Sequence, residues 1–206
     1  SGKELLANRD TVFTNHAGFN ETHGAYGIKD YPTQYMGGSL SYTYNNLVLA
    51  ITDIIGRFKP STIISIDEDI HVDHQLTSIA VEEAVGKVVK ENVNYTPKVL
   101  KSFGYDTDFE SINDYYAMHL QSTVQNRAWI VDECLSTNNP MLLWEDRIRI
   151  PVPSDCRSTS LVGNLMFRAL GSHMSQSAYK HSPKLINGDQ VFWQRRTDNL
   201  ALRSEE

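Results

Sequence analysis

The chain contains few cysteines, and it lacks long runs of apolar or of basic residues. The 206 residues include two cysteines, Cys134 and Cys156, which excludes a zinc site built from several cysteines and a scaffold held by many disulfides. One disulfide and two free thiols both remain open. The longest apolar run, Leu47–Ile51, ends at Thr52, far short of the roughly 20 residues that a membrane helix needs. We therefore expect no membrane span.

Long basic runs are absent as well. The 19 basic residues are outnumbered by 25 acidic ones, and the formal net charge is −6. Proteins that bind nucleic acid present basic patches to the phosphates, so we expect no nucleic-acid partner. A content of 40% hydrophobic, 10% aromatic and 21% charged residues is typical of a globular chain and argues against global disorder. The length predicts a single domain, residues 1–206, with one sizeable core.

Hydrophobic periodicity predicts an α/β fold after a loop-rich initial segment, residues 1–42. Pro60 ends the first helix, because proline disfavours helical geometry in the residue before it. Helix, strand, helix and strand then alternate, which is typical of an α/β sheet. The elements predicted in this way are a helix at 48–58, a buried β-branched strand at 62–66, a helix at 76–89 and a strand at 98–105.

The pattern is weaker in the second half of the chain. Pro151 and Pro153 end a short strand whose apolar and basic residues alternate, as in a strand with one solvated face. We expect helices at 112–124 and 161–170, this exposed strand at 147–150 and a late strand at 190–193.

Two histidines and several carboxylates follow the strand predicted at 62–66. The carboxyl end of a strand is where open α/β sheets bind ligands. His71 and His74 also lie at the start of the next helix, whose positive dipole end favours the neutral imidazole that binds metals. Asp73 can cap that helix or accept a histidine N–H. The alternative interpretation is a solvated acidic surface loop.

The string His71-Val72-Asp73-His74 resembles the second motif of the PIG-L/LmbE family, which is usually His-Pro-Asp-His. Members of that family are metal-dependent deacetylases that remove acetyl from N-acetylglucosamine groups. Here Val72 stands where the family has proline. Later segments are also similar to the family, some of them to a bacterial branch of it, and the resemblance covers residues 24–202. These segments are Tyr95–Val99, Trp144–Pro153 and Gly188–Leu200.

The resemblance implies a role for each polar residue of the motif. His74 is expected to bind the metal, His71 to stabilise the oxyanion and protonate the leaving amine, and Asp73 to orient His71. The implied cofactor is zinc, although histidine and carboxylates also suit other divalent first-row metals. The implied reaction is hydrolysis of an acetyl amide by metal-activated water. The implied partner is an N-acetylated sugar substrate.

The family's first motif, Ala-His-Pro-Asp-Asp-Glu, is missing from this sequence. In the family it supplies a histidine ligand, an aspartate ligand and the aspartate that acts as general base. The nearest string, Asn15–Phe19, contains His16 but no aspartate. One ligand of three is therefore expected in this chain, and a single histidine would hold zinc very weakly.

Three explanations account for the missing motif: a fragment of a longer protein, a second chain that completes the site, and a pseudoenzyme. We favour the first two, because a pseudoenzyme loses ligand side chains more readily than a whole core strand, whose loss leaves unpaired backbone at an apolar edge. The expected fold is a Rossmann-like, mostly parallel sheet with helices on both faces, lacking its first βα unit. An N-terminal fragment or second chain would carry the missing ligands, and this chain alone is expected to be inactive.

Four further residues are candidates for contact with the substrate. Asp69 is the carboxylate of the acidic loop nearest to His71 in sequence. His173 and Gln176 follow a predicted helix and are candidates for the sugar pocket, with a surface position as the alternative. Arg195 is a candidate for an anionic group, with a surface salt bridge as the alternative.

Two other functions compete with the deacetylase. One is a non-catalytic carbohydrate-binding or adhesion module that has kept the fold. The other is an amidohydrolase that acts on a non-sugar N-acyl amine. Metal content distinguishes the module from the enzyme, and acetate release from a panel of amides distinguishes the two hydrolases.

Overall fold

The computed structural model describes most of the first hundred residues and several later segments. The described residues are 2–66, 71–102, 109–110, 129–130, 146–151, 153–156, 158, 160–174, 177 and 190–197. The chain divides into two compact units, one made of Ser1–Lys101 with Arg195–Glu206 and the other of Ser102–Gln194. The helix predicted at 112–124 lies outside the described residues.

The described strands and helices belong to the α/β class, as predicted. β1 (Thr62–Ile66) and β2 (Lys98–Ser102) are parallel neighbours in a mixed sheet. The helix α3 (Val72–Glu91) connects them, because parallel strands need a long crossover. The strand predicted at 62–66 and the helix predicted at 76–89 are confirmed, and α3 begins four residues earlier than predicted. The candidate motif therefore lies on the first turn of α3.

The initial segment contains more regular structure than its composition indicated. A short helix, α1 (Gly2–Ala7), precedes a π-helical turn at Pro32–Met36. Leu5 and Leu6 of α1 pack against the core of the first unit, and this tertiary contact stabilises a helix too short to form by itself. Gly37, with a φ of 92°, ends the π-helical turn in the left-handed region that glycine tolerates.

The helix α2 (Tyr44–Phe58) starts and ends with well-formed caps. The Thr43 hydroxyl accepts the backbone N–H of Asn46 at 3.1 Å. Lys59 has left-handed geometry and donates its N–H to the Ile55 carbonyl at 2.8 Å. The predicted helix is confirmed, but one member of its predicted apolar face is exposed. Phe58 in the last turn keeps 59% of its surface accessible.

The core of the first unit lies where α2 packs against α3, and Val99 of β2 belongs to it. Small residues of α3, such as Ala80 and Ala84, are fully buried and allow the helices to approach closely. Burial of each Val, Leu or Ile side chain contributes about 1.5–3 kcal/mol. The buried members of this core cluster are Tyr44, Val48, Ile55, Leu76, Ala80, Ala84, Val85, Val88 and Val99.

The prediction that β1 is a buried strand is wrong. None of its residues is fully buried, and Ile64 is 60% exposed. Among the strands that the structure describes, β1 lies at the edge of the sheet. Ile63 packs against the core cluster, whereas the alternate residue Ile64 points to the opposite face. An edge position and one covered face therefore explain the exposure of an apolar sequence.

Among the described residues that follow β2, two pairs of strands are antiparallel. β3 (Phe109–Glu110) pairs with β4 (Trp129–Ile130). β5 (Ile148–Ile150) pairs with β6 (Gln190–Arg195), with Ile148 opposite Phe192. The strands predicted at 147–150 and 190–193 are thus confirmed, the latter two residues longer than predicted.

A capped helix and a buried cysteine also lie in the described part of the second unit. The helix α4 (Leu165–Ser172) is capped by Asn164, whose side chain accepts the Phe167 N–H at 3.0 Å. It begins four residues later than the helix predicted at 161–170. Cys156 is a buried free thiol, and Cys134 lies outside the described residues. Among the described helices of the chain, none has the length and hydropathy needed to cross a membrane.

Candidate functional site at the start of α3

His71 is the N-cap of α3. Its backbone is extended, with φ −85° and ψ 123°, and its Nδ1 accepts the backbone N–H of Asp73 at 3.3 Å. Its carbonyl accepts the N–H groups of His74 at 3.0 Å and Gln75 at 3.1 Å. The imidazole thus takes the place of the short polar side chains that usually cap helices. A histidine at this position is held by the helix that it starts.

The two histidine rings lie side by side. The centroids of the His71 and His74 rings are 4.6 Å apart, and the ring planes are inclined by 39°. Both residues are half-buried, so their rings are held in place yet remain accessible. The spacing of three residues places both side chains on one face of the first turn. The structure therefore brings together the histidines that the sequence singled out.

The cap hydrogen bond fixes which His71 nitrogen carries a proton. A ring nitrogen that accepts a hydrogen bond has no proton, so Nδ1 is bare and the proton of the neutral ring lies on Nε2. His71 therefore presents an Nε2–H donor. A neutral imidazole that donates in this way can polarise a carbonyl or bind an oxyanion.

Asp73 contacts His71 through its backbone. Its N–H makes the cap hydrogen bond, and its carbonyl accepts the Thr77 hydroxyl at 2.7 Å. Its carboxylate belongs to an exposed residue of the first turn, where negative charge interacts favourably with the helix dipole. The Asp73 backbone thus contacts the His71 ring, and orientation of His71 by the Asp73 carboxylate stays a prediction.

A buried polar network lies one turn further along α3. Lys101 of β2 has no exposed side-chain surface, and its Nζ lies 2.5 Å from Ser78 Oγ, 3.3 Å from the Ser78 carbonyl and 3.1 Å from the Ile66 carbonyl. It also forms an ion pair with Glu82 Oε1 at 3.3 Å. Arg195 Nε lies 3.3 Å from the same oxygen. This network of Lys101, Ser78, Glu82 and Arg195 is called the lysine network below.

Sequence reasoning missed the lysine network. One signal was available, because Ser78 and Glu82 are four residues apart in a helix that is rich in Ala and Val. Polar residues on an apolar helix face need a partner, and a lysine that follows two apolar residues in the next strand is a candidate for one. The pairing itself depends on how β2 packs against α3.

The described residues do not complete a zinc site. No group of three His, Cys, Asp or Glu side chains that could hold a metal occurs among them. A catalytic zinc has three protein ligands, so the single expected ligand His74 does not suffice. Asp69, the nearest predicted loop carboxylate, lies outside the described residues.

The other predicted substrate residues have separate surroundings. His173 is exposed at the C-terminal cap of α4, where its N–H donates to the Leu170 carbonyl at 3.1 Å. Gln176 lies outside the described residues. The Arg195 side chain is 11% exposed and pairs with Glu82 in the lysine network. A contact of these residues with substrate stays a prediction.

In comparisons with protein-family models, with curated proteins and with solved structures, nothing matches the chain. The resemblance to the PIG-L/LmbE family therefore rests on the motif residues and the similar segments alone.

Proposed function

We propose that this chain is part of a zinc-dependent hydrolase that removes the acetyl group from an N-acetylglucosamine-type amide. The motif His71-Val72-Asp73-His74 supports the proposal through its residues, and its position at a strand-to-helix turn supports it through the fold. Ligands of α/β sheets bind at such turns. In this proposal His74 is a metal ligand and His71 contacts the reacting amide.

The observation that carries the proposal is the hydrogen bond from the Asp73 N–H to Nδ1 of His71. This nitrogen is occupied by the helix cap, so the proton of the neutral ring lies on Nε2, a donor beside His74 at a ring distance of 4.6 Å. Attack on an amide carbonyl produces a tetrahedral oxyanion, which a positioned donor stabilises. Protonation of the leaving amine would require a second proton on Nδ1 and loss of the cap. The geometry thus supports the oxyanion role of His71 more directly than the acid role.

The remaining zinc ligands in this proposal come from residues other than the described ones or from another polypeptide. The edge position of β1 supports a Rossmann-like sheet that continues beyond this strand. β1 is rich in isoleucine, and its Ile64 is 60% exposed, whereas natural edge strands usually carry charges, proline or a covering element. A neighbouring strand there would cover backbone and side chains together.

Acetate release and metal content test the proposal. The natural protein, with any polypeptide that accompanies it, is incubated with N-acetylated sugars and with non-sugar N-acyl amines. We expect about one zinc per chain and acetate release from an N-acetylated sugar. His74→Ala should abolish metal binding, and His71→Ala should lower turnover by a factor on the order of 100 or more while the metal stays bound.

The matched control is His16→Ala, since His16 is an exposed histidine outside the motif. This variant should leave both the metal content and the acetate release unchanged. Loss of metal in His71→Ala would mean that the roles of the two histidines are exchanged. Metal-free protein that binds sugar without releasing acetate would overturn the proposal in favour of a carbohydrate-binding module. Release of acid from the non-sugar amines alone would make the chain part of a different amidohydrolase.

A further inference from the structure

Lys101 is an unusual residue for the centre of a strand. It has no accessible side-chain surface, and it lies between the buried residue Leu100 and the end of β2. Burial of an ammonium group is costly unless hydrogen bonds and an opposite charge compensate it. Ser78, the Ile66 carbonyl and Glu82 provide this compensation. The Lys101 ammonium group is thus held by specific hydrogen bonds and an ion pair.

Those partners belong to the two elements that frame the candidate site. Ile66 is the last residue of β1, immediately before the acidic segment at 67–70. Ser78 and Glu82 lie on α3 at positions four and eight residues after His74. Residues spaced by four form a row along one side of a helix, so His74, Ser78 and Glu82 share one row. Lys101 contacts Ser78 and Glu82, the second and third residues of the row that begins at His74.

We infer that Lys101 is a positioning residue for the histidine pair. Its ammonium group ties the end of β1 to the row on α3, which fixes both the rotation of α3 about its axis and the distance of its first turn from the strand. His71 caps that turn and His74 lies within it, so the location of both rings follows from this tie. The part of the inference that concerns metal rests on the proposed function, and the part that concerns ring geometry does not.

The decisive comparison is between Lys101→Met and the double variant Lys101→Met with Glu82→Gln. The first change removes the amine and leaves the buried carboxylate with Arg195, and the second also neutralises the carboxylate. We expect the double variant to be the less stable of the two, because it also takes the Glu82 carboxylate away from the Arg195 guanidinium. Although they differ in stability, both variants should lose the parent position of the two histidine rings. Lys98→Met, an exposed change in the same strand, is the matched control.

Two measurements report on the histidines: nitrogen NMR of their side chains and zinc affinity. In metal-free protein, nitrogen NMR of the imidazole side chains gives the tautomer of His71, and we expect the single and the double variant alike to lose the uniform Nε2–H form. In the natural assembly, titration with zinc alone should show affinity weakened by about 10–100-fold, the range typical for residues that support metal ligands. Lys98→Met should match the parent protein in both readings.

A Lys101→Met variant that loses stability but keeps the parent His71 signal would show that Lys101 is merely structural, and would overturn the inference. If the parent protein binds no zinc through His74, the proposed function fails, while the His71 tautomer still decides the role of Lys101. If Lys101→Met does not fold, Ser78→Ala takes its place, since it removes only the hydroxyl contact at 2.5 Å. A shift of the His71 signal in that variant supports the inference, and an unchanged signal contradicts it.

Discussion

Of the two parallel strands of the first unit, the more hydrophobic one is the less buried. β1 reads Thr-Ile-Ile-Ser-Ile, carries no charge and has no fully buried residue. β2 reads Lys-Val-Leu-Lys-Ser, carries two lysines and buries Val99, Leu100 and Lys101 in succession. The difference teaches that a strand is buried by what covers it. β1 lies at an edge of the sheet, whereas α3 supplies β2 with both an apolar partner surface for Val99 and polar partners for Lys101.

The largest expected effect concerns the partner that allows a lysine to be buried in β2. Glu82→Ala removes the carboxylate from between Lys101 and Arg195 and leaves buried positive charge without compensation. Removal of one partner from a buried ion pair typically costs about 3–5 kcal/mol. The free energy of unfolding, measured with chemical denaturant, should fall by that amount. The control Glu91→Ala, at the exposed end of α3, should change it by less than about 0.5 kcal/mol. If both variants lost the same unfolding free energy, Glu82 would not be the partner that allows Lys101 to be buried in β2.

The most direct test of the comparison is the same truncation in each strand. Leu100→Ala in β2 removes a side chain that is 3% exposed and should cost about 2–5 kcal/mol. Ile64→Ala in β1 removes one that is 60% exposed and should cost less than about 1 kcal/mol. Urea unfolding of both variants gives the two values. A large loss in Ile64→Ala, in the natural assembly, would reveal that another polypeptide segment covers β1.

A smaller effect tests how well the core beside β2 excludes water. Tyr44 belongs to the core cluster that contains Val99, and burial together with a hydrogen bond to Glu83 raises the pKa of Tyr44 to about 12. A tyrosine of the unfolded chain has a pKa of about 10. The folded state therefore holds this proton more tightly. The resulting stability is fully present below pH 10 and is lost as the pH rises from about 10 to about 12.

Ultraviolet titration of the phenol groups measures this directly. We expect one group with a midpoint near pH 12, which disappears in Tyr44→Phe. The difference in unfolding free energy between the parent protein and Tyr44→Phe should shrink over the same range of pH. A Tyr44 midpoint near pH 10 would mean that water reaches this core. The burial of β2 would then differ less from that of β1 than the structure indicates.

Much of the backbone order could be predicted from local pattern. The strand at 62–66 and the helices α2 and α3 follow from β-branched runs and from apolar residues at helical spacing, signals that need no knowledge of distant contacts. The histidine pair was predictable for the same reason, since residues three apart on a helix are neighbours. Less predictable was the cap, because His71 takes a position that Ser, Thr, Asp or Asn usually occupies.

The sequence by itself determined the alternation of strand and helix, the place of the motif at the start of α3 and the closeness of its two rings, because each of these depends on residues within a few positions of one another. Tertiary structure alone decided that β1 is exposed, that β2 is buried and that Lys101 reaches Ser78 and Ile66, which are 23 and 35 residues away in sequence. The physical reason is that burial and charge compensation are properties of the groups that surround a side chain, and in this fold those groups are supplied by other elements.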